Sequence, residues 1–171
     1  TASILRDRRD ITFVFVGDGK EKANLIRQAK ELALENVSFL PPAKKNEMAD
    51  IFAAATVCLA ILKPLGWYKT TYPNKVFDAM AAGRPVILCI DGVIRRLVED
   101  AKAGIFAEPG NPSALADTIL QVVDDPEKCE VMGKNGLALI NKDYSRKQIA
   151  DQFLALLDKL RRENARSNTG G

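Results

Sequence analysis

The sequence predicts an α/β fold: a Rossmann-like parallel sheet with helices on both faces, followed by a C-terminal run of helices. Short runs of consecutive apolar, β-branched residues alternate with segments whose apolar residues recur at helical spacing. The last third of the chain has only helical patterns. This alternation is typical of a doubly wound sheet with right-handed crossovers.

Five apolar runs are predicted to be strands, and four amphipathic segments between them are predicted to be helices. Each run is bounded by glycine, proline or polar residues, which mark turns. The predicted strands are residues 11–17, 37–40, 56–62, 85–90 and 104–109, and the predicted helices are residues 21–34, 46–55, 74–82 and 93–101.

Three further helices are predicted after the last strand, each from its start signal. Asn111-Pro112 and Asp125-Pro126 each place a cap residue before a first-turn proline. Ser145 and Gln148 have the spacing of a capping box before the final amphipathic segment. The sequence therefore predicts one domain over residues 1–163, with a flexible tail over residues 164–171.

Composition excludes several kinds of protein. The net charge of +3 is compatible with an anionic small ligand but is too small for a nucleic-acid binder. The absence of histidine removes the commonest general base and zinc ligand, and the three cysteines fit no metal-binding spacing. Cys58 and Cys89 lie in apolar runs and are predicted to be buried thiols of a reducing, cytoplasmic compartment.

Ligands of doubly wound sheets bind at the carboxyl ends of the strands, so the loops at those ends are the candidate sites. Gly17-Asp18-Gly19 follows the first strand and opens a helix, where it could contact a ligand or form only a tight turn. It is not a dinucleotide fingerprint, because Lys22 occupies the place of the third glycine. Pro41, after the second strand, could end the strand or form a stiff wall of a base pocket.

The loop before the helix at residue 74 contains aromatic residues that could stack on a sugar or base, or pack beneath the loop itself. Asn74 and Lys75 open this helix, where free amides and an ammonium suit a phosphate. Asp78 lies one turn later. Its carboxylate must reach solvent or accept hydrogen bonds from donors such as ribose hydroxyls, because burying an unpaired carboxylate costs much free energy. Capping, or pairing with Arg84, is the alternative role for this acid.

Two stretches carry a family resemblance. PNKVFDAMAAGRPVILCIDGVIRRLVEDAKAGIFAEPGNPSALADTIL (73–120) resembles the donor-binding half of GT-B glycosyltransferases of family 4, the glycosyl transferases group 1. GDGKEKANLIRQAKELALENVSFLPP (17–42) resembles the segment that precedes it in that family. The pattern around KPLGWYKTTYPNK is similar to a subgroup linked to O-antigen and capsule assembly, including N-acetyl-fucosamine transferases.

The resemblance implies a retaining transferase that binds a nucleotide-diphospho sugar, such as a UDP-sugar, without a metal ion or other cofactor. Asp78 aligns with the second Glu of the family's E-x7-E motif, which accepts from ribose hydroxyls. Thr70 replaces the first Glu, near the sugar, so it can hydrogen-bond the sugar but supplies no negative charge. Thr71 and Tyr72 complete the expected nucleotide-sugar site.

The resemblance also implies partners outside this chain. The family has an N-terminal acceptor-binding domain, and its acceptors include saccharides and lipid-linked sugars at the inner face of the membrane. The family's first strand, which is central to its sheet, precedes the segment that begins here. We therefore expect an incomplete sheet or one completed by another chain, a weakened donor site, and no turnover by this domain alone.

Two other functions stay open. A GT-B-like epimerase would use the same nucleotide pocket but needs acid–base carboxylates near the sugar, which the 63–70 segment does not offer. A degenerate, non-catalytic nucleotide-binding module is favoured by Thr70 and by Asp in place of Glu at 78.

Overall fold

The computed structural model describes the backbone of residues 1–167 and the side chains of these residues other than 146 and 164–167. Strands and helices alternate up to β5, and three helices follow. In chain order the elements are β1 Phe13–Val16, α1 Lys22–Glu31, β2 Val37–Leu40, α2 Met48–Ala54, β3 Cys58–Ile61, a 3₁₀ segment Gly66–Thr70, α3 Asn74–Ala81, β4 Val86–Cys89, α4 Val93–Asp100, β5 Gly104–Phe106, α5 Pro112–Val123, α6 Pro126–Asp143 and α7 Arg146–Ser167.

The five predicted strands all form and all pair in parallel, which confirms the predicted fold class. They do not form one continuous sheet. Within residues 1–167, β1 pairs with β2 alone, whereas β3, β4 and β5 form a second sheet with β4 at its centre. Among the described residues, β1 and β3 therefore each have a neighbouring strand on one side only.

β4 is the centre of the hydrophobic core. Every residue of the strand is buried, and alternate side chains enter two different clusters. Val86 and Leu88 pack with Met80 of α3 and Ile94 of α4, whereas Ile87 packs on the opposite face with residues of α5. A strand covered on both faces by helices explains the uninterrupted apolar run in the sequence.

The β1–β2 pair is much less covered. Val14 and Phe15 are 54% and 47% exposed, although Phe15 stacks on Phe39 of β2 with ring centroids 5.1 Å apart. α1 has no buried residue, so the apolar side predicted for it is not buried in the described part of the chain. An open groove of about 320 Å³ lies beside α1, lined in part by Ile26 and Val37.

Residues 1–10 form turns that attach this open region to the rest of the domain. Leu5 is buried in the cluster that also contains Phe13 and Ile87. The Asn36 amide donates to the carbonyl oxygens of Ala2 and Leu5, at 3.0 and 3.2 Å. The first turns thus share the core of β4.

Charged side chains form a second tie between the first turns and α5. The guanidinium of Arg8 donates to both carboxylate oxygens of Asp124, just after α5, and to those of Asp10. Arg8 therefore joins the start of the chain to the end of α5.

The predicted helix starts are confirmed. Asn111 accepts from the amide of Ala114 and Asp125 accepts from that of Lys128, both at 3.0 Å. The backbone amide of Gln148 donates to Ser145 Oγ at 3.2 Å, which is the cap half of the predicted capping box. α7 continues to Ser167 and so includes residues 164–167, which the sequence assigned to a flexible tail; residues 168–171 of that tail lie outside the described residues.

All three cysteines are free thiols. Cys89 is buried and Cys58 is partly buried, and burial raises the pKa of the Cys58 thiol to about 11.

Within residues 1–167, no helix has the length and apolar character needed to cross a membrane.

Candidate functional site

The carboxyl ends of β1 and β2 bring together the first group of predicted site residues. The Gly17 amide donates to the Leu40 carbonyl at 3.4 Å, which places Pro41 beside the Gly17 turn. Asp18 is exposed, and its carboxylate accepts from the Gly19 amide at 2.8 Å. Because the Gly19 amide is already bonded to the Asp18 carboxylate, it is not available to an anion. The turn can instead offer a ligand the carboxylate of Asp18 as a hydrogen-bond acceptor.

Lys22 is a residue of this edge that the sequence reasoning missed. Its ammonium donates to the carbonyl oxygens of Gly17, at 2.6 Å, and Leu40, at 2.9 Å. It thereby holds the two strand ends together. The signal was available in the sequence, because a lysine stands at the helix start where a dinucleotide fold has its third glycine.

The second group lies at the start of α3. Asn74, Lys75 and Asp78 are all exposed, and no side chain caps the helix start. The first turn carries no acid, so its amides and the positive end of the helix dipole are available to an anion. Lys75 and Asp78 share one face at i, i+3 spacing, yet no ion pair joins them in the described structure.

The alternative structural role of Asp78 finds no support in the contacts of its suggested partner. Arg84 donates to the backbone carbonyl of Ala53, on α2. No hydrogen bond or ion pair between Arg84 and Asp78 is found among the described side chains. The Asp78 carboxylate is therefore free to accept from a ligand.

Thr70, Thr71 and Tyr72 connect the 3₁₀ segment to α3. The hydroxyls of Thr70 and Thr71 both donate to the Trp67 carbonyl, at 3.1 and 3.4 Å. Their hydroxyl protons are therefore occupied, and their oxygens can accept from a hydroxyl of a ligand. Tyr72 is about half exposed, and its ring lies 6.2 Å from that of Phe77 in α3.

A chain of charged residues, also missed from the sequence, lies beside this segment. Lys69 pairs with Asp91 at 3.4 Å, and Asp91 is 3.6 Å from Arg95. Arg95 also pairs with Glu99 at 3.0 Å, and its guanidinium carbon lies 3.8 Å from the centre of the Phe106 ring. Arg95 is therefore held by contacts on several sides, whereas Arg96 is exposed.

The two groups share the carboxyl side of the parallel strands but belong to different sheets. No hydrogen bond or ion pair links residues 17–19 to residues 70–78 in the part of the chain that is described. The arrangement offers an anion site at the start of α3, a free carboxylate one turn later, and hydroxyl acceptors beside them. No group of three or more Cys, Asp or Glu side chains suited to a metal is found among the described residues.

The chain belongs to the glycosyl transferases group 1 family, whose model matches residues 1–125. Among curated proteins, it is 26% identical over 145 residues to N-acetyl-alpha-D-glucosaminyl L-malate synthase of Bacillus anthracis. That match covers 84% of this chain and 36% of the relative. This chain therefore spans only a little over a third of that curated relative.

Solved structures share the fold. Sucrose-phosphate synthase from Thermosynechococcus elongatus superposes with a TM-score of 0.76 at 24% identity, covering 93% of this chain and 41% of that one. HepE of Anabaena, solved in complex with UDP-glucose, also gives 0.76 at 24% identity, covering 88% and 42%. These likenesses establish the architecture as one half of a GT-B fold.

Proposed function

We propose that this chain is the donor-binding domain of a retaining glycosyltransferase that takes a UDP-sugar and acts without a metal ion. The observation that carries the proposal is the start of α3 in a group 1 glycosyltransferase. There an uncapped helix end, a free ammonium and a free carboxylate lie within two turns. HepE, of the same fold, has been crystallised with UDP and with UDP-glucose.

In this proposal, the first turn of α3 binds the diphosphate of the donor. The amides of Asn74 and Lys75 point out of the helix end, and the Lys75 ammonium adds a full positive charge. Charge develops on the diphosphate as the glycosidic bond breaks, so these groups stabilise the leaving group more than the bound substrate. The lysine and the helix dipole take the part that a divalent cation has in other transferases.

Asp78 and the residues before α3 bind the remainder of the donor. The Asp78 carboxylate accepts from the ribose hydroxyls, one turn beyond the diphosphate. Thr70 and Thr71 present hydroxyl oxygens to the sugar, and Tyr72 presents a half-exposed ring. Gly17, Asp18, Gly19 and Pro41 line the opposite side, where the nucleoside lies.

The acceptor site and any general base belong to an N-terminal acceptor-binding domain of a longer protein. Two observations support this proposal: this chain spans 36% of one curated relative, and β1 and β3 each have an unpaired edge. Phe13 of β1 and Leu59 of β3 pack against the same apolar cluster. We infer that a parallel strand of the longer protein pairs with both edges and completes the donor site.

The biological setting belongs to the same proposal. The KPLGWYKTTYPNK pattern favours a saccharide or lipid-linked acceptor of cell-surface polysaccharide assembly, as in O-antigen or N-acetyl-fucosamine transfer. Such an acceptor places the protein in the cytoplasm, at the inner face of the membrane.

Calorimetric titration with UDP tests the donor site. The longer protein should bind UDP, Asp78→Ala and Lys75→Ala should weaken this binding about tenfold each, and Lys45→Ala, an exposed lysine before α2, should not. This chain alone should bind more weakly than the longer protein; equally tight binding would refute the need for the missing strand.

Product analysis with a panel of nucleotide sugars and a lipid-linked acceptor tests the reaction. Transfer with retention at the anomeric carbon supports the proposal. Isomerisation of the sugar identifies an epimerase, and UDP binding without any product identifies a degenerate module.

A further inference from the structure

The turn between β4 and α4 lies directly against the 3₁₀ segment Gly66–Thr70. Gly92 in this turn has φ 101°, a left-handed conformation that favours glycine. A Cβ at Gly92 would lie 2.0 Å from the Lys69 carbonyl oxygen and 2.5 Å from the Lys69 Cα. Both neighbours are backbone atoms, so the contact exists only because residue 92 has no side chain.

Asp91 adds a side-chain tie at the same place. Its carboxylate pairs with Lys69 at 3.4 Å and with Arg95 at 3.6 Å. The Gly92 amide donates to this carboxylate, and together with Lys69 it lowers the pKa of Asp91 below the ordinary value of 3.8. The carboxylate is therefore charged at neutral pH.

The two sides of this contact differ in how firmly they are held. α4 begins directly after Gly92, and its Ile94 and Val98 are fully buried in the core. The segment Gly66–Thr70 has no buried residue. The β4–α4 turn is thus anchored in the core, whereas the segment Gly66–Thr70 lies on the surface and packs against this turn.

We propose that Gly92 and Asp91 are positioning residues, which hold Lys69 so that Thr70 and Thr71 face the donor sugar. This inference rests on the proposed donor-binding function. Neither residue touches the donor; both act through the backbone of residues 69–71. Misplacement of a binding group by about 1 Å can lower the rate of a reaction about a hundredfold. The contact between Gly92 and Lys69 should therefore affect the KM and kcat for the donor.

The experiment compares Gly92→Ala with Gly110→Ala in the longer protein. Gly110 also has a positive φ, 80°, but no atom lies within 4 Å of the place of its Cβ. Both substitutions introduce backbone strain, and only Gly92→Ala displaces Lys69. Two measurements are made: hydrogen exchange of the peptide spanning residues 63–73, and the KM and kcat for a UDP-sugar.

Gly92→Ala should accelerate exchange in this peptide and raise the donor KM about tenfold or more, while Gly110→Ala should change neither. Equal effects of the two variants would overturn the proposal, because strain alone would then account for them. Accelerated exchange with an unchanged donor KM and kcat would also overturn it.

A second pair of variants covers the case in which Gly92→Ala does not fold. Asp91→Ala removes the ties to Lys69, to Arg95 and to the Gly92 amide, whereas Glu99→Ala removes only the other carboxylate partner of Arg95. Asp91→Ala should raise the donor KM by about two- to fivefold, as expected for exposed ion pairs, and Glu99→Ala should not. Equal KM values for the two variants would contradict the proposal.

If the proposed donor-binding function itself is wrong, the wild-type protein gives a result that differs from all of those above. A wild-type protein that neither binds UDP nor transfers from UDP-sugars refutes the donor assignment, and with it the role in presenting Thr70. The exchange comparison still decides whether Gly92 holds the segment.

Discussion

The two sheets of this domain are both built from short parallel strands, of three or four residues, but differ in how deeply those strands are buried. All four residues of β4 are buried between helices on both faces, whereas Val14 and Phe15 of β1 are about half exposed. β4 has neighbours on both sides and β1 has one. The difference indicates that a parallel strand pair can form with its faces only partly covered, while the strand that is buried along its whole length has helices on both faces and strands at both edges.

The proposed donor site spans both regions. Asn74, Lys75 and Asp78 lie on α3, which packs against the β3–β4–β5 sheet, and Gly17–Gly19 and Pro41 follow the two strands of the more open sheet. A site divided in this way depends on whatever fixes one sheet relative to the other. In the described chain, this is the shared core cluster and the tie from Arg8 to Asp124.

The largest expected effect is a difference between β1 and β4 in how well their backbone amides are protected from hydrogen exchange. In this chain, the amides of β4 should exchange at least about a thousandfold more slowly than those of β1, because β1 has one open edge and two half-exposed residues whereas β4 is buried along its whole length. In the longer protein, β1 and β3 should gain protection as their free edges become paired. Hydrogen exchange measured on both proteins checks this. If β1 is as slow as β4 in the short chain, the two regions are one cooperative unit.

A matched pair of substitutions measures the same contrast as stability. Leu88→Ala removes a side chain that is 1% exposed in β4 and should reduce the free energy of unfolding by about 2–5 kcal/mol. Leu40→Ala removes the same atoms from β2, where the side chain is 43% exposed, and should cost about 1 kcal/mol or less. Urea denaturation of both variants gives the two values. Similar losses would contradict the difference in packing.

The smallest effect concerns the tie between the two regions. Hydrogen bonds from Arg8 lower the pKa of Asp10 from 3.8 to about 2 and also lower that of Asp124. Because these pKa values are lower in the folded state, the stabilisation is present above about pH 4 and is lost as the pH falls towards 2. Arg8→Gln should therefore reduce stability at pH 7 and flatten the acid slope. Arg27→Gln, whose pair with Glu31 lies within exposed α1, is the control and should leave that slope unchanged.

Much of the fold and part of the site could be predicted from the sequence. The five parallel strands, the Asn111 and Asp125 caps and the Ser145–Gln148 box follow from periodicity and local chemistry, and all are confirmed. The exposure of Lys75 and Asp78 on one face of α3 follows from helical spacing. The donor contacts assigned to these residues stay predictions.

Other features were not accessible from local patterns. The buried face expected for α1 depends on a partner surface, which the described chain does not supply. Lys22, Asp91 and Gly92 contact residues 18 to 23 positions away in the chain. For Asp91 and Gly92, nothing in the neighbouring sequence indicates that Lys69 is the partner.

The sequence by itself determined which segments become strands and helices and where most of the helices start, because hydrophobic periodicity and capping are properties of neighbouring residues. Only the tertiary structure decided that the five strands divide into two sheets and that β4 alone is buried along its whole length. It also decided that Gly92 lies directly against the backbone of Lys69. These outcomes depend on which surfaces meet after the chain has folded, and contacts between distant residues have no local signature.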